Sequence, residues 1–411
     1  MKTEPILKTL KNGLRLAMVP REAESVAVGV FVASGSRHEP AGLAGISHFI
    51  EHMLFKGTPT RSALDITNAI EGRGGNFNAC TSEESTVYYA HLPNEYLSEG
   101  LEILSDMYLN AAFDPDEFER EKEVVLEEIK MYADEPDSVA QENMQRMLFP
   151  KTPLGAPVAG SEATLRPMKP STLRKYVKSH YLASNTVVVV VGEFDPEVAV
   201  RETERSFRGV RAGKGDLPFI PVDFSIRPTG EMTVSKDVNQ VQLALGYRTF
   251  GVGDERKWGA AVLDGLLGRG MSSRLFQEVR EKRGLSYDIS SRQQFYTDAG
   301  MMTITAGMDP AKKDLAFRTI IRELKRVVGK KAPAAELKRI KDFLVGNFRL
   351  SQEKMVSKMF FTGSTVLTYG ELKSAAEQVE RIRSVTAEEV MATARDIFRE
   401  ENRSVSWVTP R

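Results

Sequence analysis

The chain has 411 residues, which is too long for one ordinary hydrophobic core and predicts two domains of about 200 residues each. Its hydrophobic content of 41% and its charged content of 27% are typical of a globular protein. Lysine and arginine together number 56, as do aspartate and glutamate, so no net charge attracts the chain to nucleic acid or to an anionic membrane.

The patterns of secreted and membrane proteins are missing from the sequence. Residues 1–5 do not begin an uninterrupted apolar segment of the kind that forms a signal peptide. No apolar run approaches the roughly 20 residues needed to span a bilayer. The single cysteine, Cys80, excludes disulfides within the chain and fits a reducing compartment. These features predict a soluble, cytoplasmic protein that binds neither membranes nor nucleic acid.

The first half of the chain mixes strand and helix patterns. Its predicted elements, in chain order, are strands over 14–19 and 26–32, helices over 46–55 and 63–71, a hairpin of 76–80 and 86–91, two long helices, and a buried β-branched strand over 186–191. Gly57 follows the first helix in the manner of a C-cap. The second long helix opens with Asp114 and Pro115, a capping residue followed by a proline at the first helical position.

The second half repeats this order of elements. Residues 213–230 are rich in glycine and proline and follow neither the helix nor the strand period, which predicts a linker. After it come a strand over 240–247, a helix over 257–267, a hairpin of 288–295 and 300–306, and a long helix that begins near Pro333. The repeat predicts an ancient duplication and an α+β fold. Its two homologous α/β-sandwich halves, 1–212 and 231–411, would each pack an antiparallel-rich sheet against helices.

The first predicted helix carries the motif His48-Phe49-Ile50-Glu51-His52. Histidines four residues apart project from the same helix face, so both imidazoles can bind one metal ion. Glu51 lies between them, close enough to act on a metal-bound water, and the order His-x-x-Glu-His is the inverted zinc-peptidase motif. The alternative is a helix face with two histidines that form structural hydrogen bonds. The chain has three other histidines, which lack metal-binding spacing and are predicted to be structural: His38, His91 and His180.

A catalytic zinc ion usually takes three protein ligands, so a third ligand must lie elsewhere in the chain. The candidates lie on the helix that Asp114 caps: Glu119, Glu121, Glu123, Glu127 and Glu128. Spacing alone does not choose among them. Glu121 and Glu128 are seven residues apart and share a helix face, and Val124 and Val125 beside that face place its carboxylates near the interior.

The repeat limits the metal to the first half. With the His48–His52 helix aligned on Val262–Leu266, Val262 and Leu266 take the places of the two histidines. With Pro115 aligned on Pro333, Gly346 takes the place of Glu128. We therefore expect the second half to have a different task.

The sequence resembles the insulinase–pitrilysin zinc peptidases, in particular the short-chain branch that includes mitochondrial processing peptidase. The segments that carry the resemblance are 45–58 (GISHFIEHMLFKGT), 74–79 (GGNFNA), 121–129 (EKEVVLEEI), 273–276 (SRLF) and 280–287 (REKRGLSY). They are long, occur in order and extend over nearly the whole chain.

The resemblance implies a duplicated metallopeptidase fold with one Zn²⁺ per chain, held by His48, His52 and Glu128. It implies that Glu121 is a buried carboxylate that orients a ligating histidine. Glu51 would take a proton from the water molecule and later deliver it to the leaving amine. The expected activity is that of an endopeptidase that cuts short or unfolded peptides or presequence-like segments.

The resemblance also implies how the substrate binds. A peptide would add as a strand to the segment with Phe77, Asn78 and Ala79, with Asn78 and Ala79 beside the scissile bond. Arg280 and Tyr287 match a pair that reaches the active site from the other half of an enclosing chamber and donates hydrogen bonds there. Because two domains make only half of such a chamber, we expect a homodimer in which the pair of one subunit serves the zinc of the other.

Two other functions compete with this one. The chain is alternatively the zinc-bearing subunit of a heterodimeric processing peptidase, although the intact pair of Arg280 and Tyr287 favours self-sufficiency. It is alternatively a non-proteolytic, core-type subunit, a class in which metal ligands are commonly lost. Here the two histidines of the motif, Glu51 and Glu128 are all present.

Overall fold

The computed structural model describes residues 4–213, 215, 217–228 and 230–411, and these form two compact units. Residues 1–3 and three positions of the predicted linker, Lys214, Asp216 and Thr229, lie outside the described residues. Unit 1 contains the described residues of Met1–Ile129, Pro157–Ile220 and Leu350–Ser374. Unit 2 contains those of Lys130–Ala156, Pro221–Arg349 and Ala375–Arg411. The units differ from the chain halves 1–212 and 231–411, because each unit includes a segment of the other half.

Fourteen α-helices lie in the described part of the chain. They are α1 (Ile46–Leu54), α2 (Ala63–Glu71), α3 (Leu97–Asn110), α4 (Pro115–Asp134), α5 (Pro136–Leu148), α6 (Glu162–Leu165), α7 (Pro170–His180), α8 (Pro196–Ser206), α9 (Lys257–Gly268), α10 (Lys313–Gly329), α11 (Ala334–Glu353), α12 (Met355–Tyr369), α13 (Ala375–Ser384) and α14 (Ala387–Ile397). Within the same residues, no helix combines the length and the apolar composition that crossing a membrane requires.

The sheet of unit 1 has six strands. They are β1 (Ile6–Thr9), β2 (Arg15–Pro20), β3 (Ser25–Val32), β4 (Asn76–Thr81), β5 (Thr86–Pro93) and β6 (Thr186–Gly192). Their order is β1-β2-β6-β3-β5-β4, and all neighbours are antiparallel except β2 and β6. β6 is buried along its whole length, as its run of valines predicts. β1 was not predicted, since its four residues are largely exposed and carry no clear apolar pattern.

The sheet of unit 2 repeats this topology. Its strands are β7 (Glu231–Lys236), β8 (Val241–Phe250), β9 (Asp288–Phe295), β10 (Ala299–Met308) and β11 (Arg403–Pro410). Their order is β7-β11-β8-β10-β9, and only β7 and β11 are parallel. This order matches β2-β6-β3-β5-β4 strand for strand. The predicted α+β fold with two similar halves is therefore confirmed.

Each sheet is covered on one face by a helix from the other half of the chain. In unit 1, Met359 and Val366 of α12 pack against Phe31 and against one face of β6, the face of Val187, Val189 and Val191. In unit 2, Met144 and Leu148 of α5 pack against β8 and β11. The helix approaches the sheet closely in both units. A Cβ atom added to Gly29 would lie 2.8 Å from Met359 Sδ, and one added to Gly246 would lie 2.1 Å from Met144 Sδ. α5 and α12 occupy equivalent places, directly after α4 and α11.

Candidate metal centre

A tight backbone contact and a buried carboxylate fix the start of α1. Gly45 precedes the helix with a φ of +91°, and a Cβ atom there would lie 2.5 Å from the carbonyl oxygen of Ala159, so glycine is required. The buried Glu39 carboxylate accepts hydrogen bonds from the backbone N–H groups of Gly45 and Ser47, both at 2.7 Å. These bonds satisfy donors that the first helical turn leaves free.

Glu39 makes the stability of unit 1 depend on pH. Burial raises the pKa of its carboxyl from 4.5 to about 7, although hydrogen bonds from Ser47 and Gly45 oppose the shift. The folded protein thus keeps this proton at pH values where the unfolded chain has lost it. The free energy of unfolding therefore falls as the pH rises from 4.5 to about 7. The loss due to Glu39 should approach about 3 kcal/mol.

Glu39→Gln does not titrate, so it should lack this pH-dependent loss. We expect the variant to be less stable than the natural chain near pH 5, because its amide N–H₂ faces one of the helical N–H groups. The difference should shrink as the pH rises to about 8. Urea unfolding of the metal-free proteins at several pH values measures it, with the exposed Glu22→Gln as a control. A difference that stays constant over this range would contradict the assignment.

α1 is amphipathic, and its polar face carries the motif. Ile46, Phe49, Ile50 and Met53 are fully buried in the core of unit 1. On the other face, the His48 and His52 side chains keep 13% and 21% of their surface exposed, and Glu51 is half-buried. This partial burial suits a site that a substrate reaches from solvent.

α4 places two of the candidate glutamates beside α1. Phe118 and Val125 are fully buried, and the centroid of the Phe118 ring lies 4.8 Å from that of Phe49. Glu121 and Glu128 follow these two anchors by three residues each and share their helix face. Glu121 is buried and Glu128 is half-buried.

The other residues of α4 differ in exposure. Glu119, Glu123 and Glu127 are exposed. Val124 is 52% exposed, so the expectation that it lies beside the interior face is wrong, and Val125 alone has that position. The exposure of these side chains therefore distinguishes Glu121 and Glu128 from the other candidate glutamates, a choice that spacing left open.

The side chains of His48, His52 and Glu128 form the one group of potential metal ligands among the described residues. One ligand atom of each lies within 4.8 Å of the other two. The Glu128 Oε2 atom is 3.4 Å from His52 Nε2 and 3.7 Å from His48 Nε2. Ligand atoms bound tetrahedrally at about 2.0–2.1 Å from Zn²⁺ lie about 3.4 Å apart, so these separations fit zinc. Two imidazoles and one carboxylate also leave a fourth position for water, as in catalytic zinc sites.

Glu121 bridges His52 and Lys56. Its Oε1 atom lies 2.9 Å from His52 Nδ1, and its Oε2 atom lies 2.6 Å from Lys56 Nζ. When Nδ1–H donates to Glu121, the Nε2 atom faces Glu128 with its lone pair available for a metal. Although burial alone would lower the pKa of His52, hydrogen bonds with Glu121 and Glu128 raise it to about 9 in the metal-free protein. A metal that binds Nε2 must therefore displace a proton from it. Lys56 was not among the predicted site residues.

His48 differs from His52 in its surroundings. Burial, together with the nearby His52, lowers the pKa of His48 to about 4. Its Nδ1 atom is buried without a hydrogen-bond partner among the described residues, while Nε2 faces Glu128. A neutral imidazole with Nε2 directed at the group is the form that binds a metal.

Glu121→Gln should weaken zinc binding by about 10- to 100-fold, because the variant loses the charge that makes His52 a stronger ligand. Competition with a chromophoric chelator measures this affinity. Glu123→Gln, on the exposed face of α4, is the matched control. Equal zinc affinities for the Glu121 variant and the control would contradict the role of Glu121.

Glu51 is held by a residue that the sequence analysis missed. The Thr81 hydroxyl donates a hydrogen bond to Glu51 Oε2 at 2.5 Å. Burial raises the pKa of Glu51, and the bond from Thr81 opposes this shift. The strand alternation that starts at Phe77 and Ala79 places Thr81 on the same sheet face, and this pattern was the available signal.

The predicted substrate segment lies in β4, at the edge of the sheet. β4 pairs only with β5 among the described strands. Phe77 and Ala79 are half-buried against the core, and the Phe77 ring lies 5.3 Å from that of Phe55. Asn78 is exposed, and its Oδ1 atom accepts a hydrogen bond from the Ala79 N–H.

Arg280 and Tyr287 lie together in unit 2. Arg280 belongs to a π-helical segment, Phe276–Glu281, and Tyr287 precedes β9 with 78% of its surface exposed. The Arg280 guanidinium lies 4.6 Å from the ring centroid of Phe276 and 5.4 Å from that of Tyr287. These contacts are cation–π interactions.

The three remaining histidines have structural partners within unit 1. None of them belongs to the group of potential metal ligands. Their hydrogen bonds are Gly35 N–H to His38 Nδ1, His91 Nε2 with Ser25 Oγ, and His180 Nδ1 with the Tyr176 carbonyl.

Two family models match the chain in succession. The model described as insulinase, peptidase family M16, matches residues 16–162. The model described as the peptidase M16 inactive domain matches residues 168–344. The first match contains all three members of the metal-binding group, and the second contains Val262 and Leu266, the residues that the sequence repeat predicts in place of the two histidines.

Curated relatives resemble nearly the whole chain. An uncharacterized zinc protease of Bacillus subtilis, YmxG, is 36% identical over 394 residues, covering 96% of this chain and 95% of the relative. An uncharacterized zinc protease of Mycobacterium tuberculosis, Rv2782c, is 37% identical over 398 residues, covering 96% and 91%. Among solved structures, a protease from Helicobacter pylori has the same fold, with a TM-score of 0.94, 22% identity and 99% coverage of both chains. The chain belongs to the insulinase family, peptidase family M16.

Proposed function

We propose that the protein is a zinc-dependent endopeptidase that binds one Zn²⁺ per chain. The observation that carries this proposal is the group formed by His48, His52 and Glu128, with the Glu51 carboxylate on the same face of α1. Zinc held by these residues would lower the pKa of a water molecule at the site and would polarise the carbonyl of a peptide bond. The relatives described as zinc proteases support the same activity.

The side chains of the site have separate tasks in this proposal. Glu51 takes a proton from the attacking water and delivers it to the leaving amine. Its raised pKa, which burial causes, suits a group that must both accept and release a proton. Glu121 holds the His52 ring in the orientation that a ligand needs.

The substrate is proposed to be a short or unfolded peptide, including presequence-like segments. Such a peptide can add to the edge of β4 that pairs with no strand in the described part of the chain, where backbone hydrogen bonds would fix it with little demand on its side chains. Asn78 and Ala79 would then lie beside the scissile bond, and Phe77 would support them from the core side. The single cysteine supports a reducing, cytoplasmic location.

We propose that residues 1–212 supply the zinc centre and that residues 231–411 complete the substrate chamber after the linker 213–230. In a homodimer, Arg280 and Tyr287 of one subunit would donate hydrogen bonds to the substrate at the other subunit's zinc. Mixing a His48→Ala protein with an Arg280→Ala protein tests whether one subunit serves the zinc of the other, because a mixed dimer would contain one complete site. Activity that never exceeds that of either parent would contradict it.

The non-proteolytic alternative has one observation behind it, the match to the peptidase M16 inactive domain. That match covers residues 168–344, which contain none of His48, Glu51, His52 and Glu128. It therefore lies outside the segment that contains the proposed zinc centre, which the model of the insulinase family matches.

The proposed function is tested by metal analysis combined with mass-spectrometric mapping of cuts in a peptide library. We expect about one zinc per chain and cleavage within peptides, both abolished by chelation and restored by zinc. Glu51→Gln, prepared in the same way, identifies cuts made by contaminating proteases. A zinc-loaded protein that cuts nothing in the library would favour the non-proteolytic alternative.

A further inference from the structure

Thr81 lies where the edge strand β4 contacts α1, the helix that carries the His48–His52 motif. It is the last residue of β4 and pairs with Thr86 of β5. Its side chain is half-buried, and it lies on the sheet face of Phe77 and Ala79, which pack against the core that contains α1. This position brings its hydroxyl to the Glu51 carboxylate.

The contact is short and specific. Thr81 Oγ1 lies 2.5 Å from Glu51 Oε2, the length of a strong bond between a hydroxyl and a carboxylate. Among the described residues, Thr81 is the one hydrogen-bond partner of this carboxylate. Because threonine is branched at Cβ, its χ1 rotamer is stiff, and the hydroxyl is a fixed donor.

A carboxylate held by one oxygen has a defined orientation. The bond to Oε2 restricts rotation of the Glu51 carboxylate, and the Thr81 backbone N–H also favours its charged form. Among the described residues, no side chain donates a hydrogen bond to Oε1, so this oxygen can face a water molecule. Proton transfer from water requires an acceptor oxygen at a fixed place, because small misplacements cost rate.

We propose that Thr81 is a positioning residue for the general base: its hydroxyl holds Glu51 Oε2, so that Glu51 Oε1 receives the proton of the attacking water. This inference rests on the proposed peptidase function. It also links two parts of the site, since the strand proposed to bind the peptide is the one that orients the base. The same strand would then hold both the general base and the backbone of the substrate.

The test compares Thr81→Val, which removes the hydroxyl at nearly constant volume, with Thr81→Ser, which keeps it. Thr67→Val is the matched control, since among the described residues the Thr67 hydroxyl on α2 bonds only the Ala63 carbonyl. For Thr81→Val we expect kcat to fall about 10- to 100-fold, with KM within about twofold of the natural value. Thr81→Ser should recover most of kcat, and zinc content should be unchanged in all variants.

Each outcome decides the proposal. An unchanged kcat in Thr81→Val overturns it, and so does a rise in KM alone, which would assign Thr81 to the substrate strand. If Thr81→Val does not fold, Thr81→Ala carries the same expectation. The proposed function fails separately: a natural chain that cuts no peptide, or a Glu51→Gln variant that remains active, would overturn it and this inference together.

Discussion

Replacing Glu51 with glutamine is expected to lower kcat by about 10³-fold or more, because the variant has no carboxylate to take a proton from water. Zinc content should stay near that of the natural chain, since Glu51 is not a member of the metal-binding group. Glutamine has nearly the same size and still accepts the Thr81 hydrogen bond, so the local structure should persist. Turnover of a quenched fluorescent peptide and zinc per chain are the two measurements.

The matched control for this experiment is Glu71→Gln, an exposed position at the end of α2. This control is purified in parallel, and its activity shows how much is lost through substitution at an exposed position and purification alone. Cleavage by Glu51→Gln at the rate of this control would contradict the role of Glu51 as the base. Loss of zinc together with activity would instead identify Glu51 as a ligand.

Glu128→Gln should remove the metal, and activity should disappear with it. An amide oxygen is a much weaker zinc ligand than a carboxylate, and the two imidazoles of His48 and His52 alone hold zinc poorly. We expect affinity to fall by more than about 100-fold, because even changes beyond the direct ligands cost 10- to 100-fold. Metal analysis after dialysis, and readdition of zinc to chelated protein, measure the effect.

Glu127→Gln is the control for this second prediction. Glu127 is the neighbouring residue of the same helix but is exposed, so the two substitutions differ mainly in the direction of the side chain. The control should keep zinc and regain activity after chelation and readdition. Zinc retention by Glu128→Gln equal to that of the control would mean that the third ligand lies elsewhere.

Much of this site follows from the sequence, because its main parts lie on two helices with regular spacing. His48, Glu51 and His52 are set by the period of one helix, and Glu121 and Glu128 share a face by the period of another. Helical spacing did not say which glutamate meets the histidines, since that depends on how α4 packs against α1 through Phe118 and Phe49. The family resemblance supplied that choice.

Thr81 and Lys56 are the residues that sequence reasoning did not find. Each acts on one predicted residue across a tertiary contact, Thr81 on Glu51 and Lys56 on Glu121. Threonine in a strand and lysine after a helix are common, so neither residue type marks a site by itself. Only the distances between their polar atoms and the carboxylates separate them from ordinary surface residues.

The strands were predictable where the apolar pattern is strong, as in β3, β6 and β8, but their order within each sheet was not predicted. The exchanged positions of α5 and α12 were not predicted either. Neither helix was predicted separately, and nothing in the helical period says which sheet a helix will cover. That choice is made by contacts between residues far apart in the chain, such as Met359 with Gly29 and Met144 with Gly246.

The exchange of α5 and α12 bears on the origin of the chain. If one half arose first, its own copy of this helix would not have covered its own sheet, because in the present chain each sheet takes that layer from the other half. An ancestral half would then have been stable only as a reciprocal, domain-swapped dimer, in which each copy lent its helix to the other. Gene fusion would have converted that dimer into one polypeptide. One half could then have lost its metal ligands, provided that it still supplied the helix that covers the sheet of the other half.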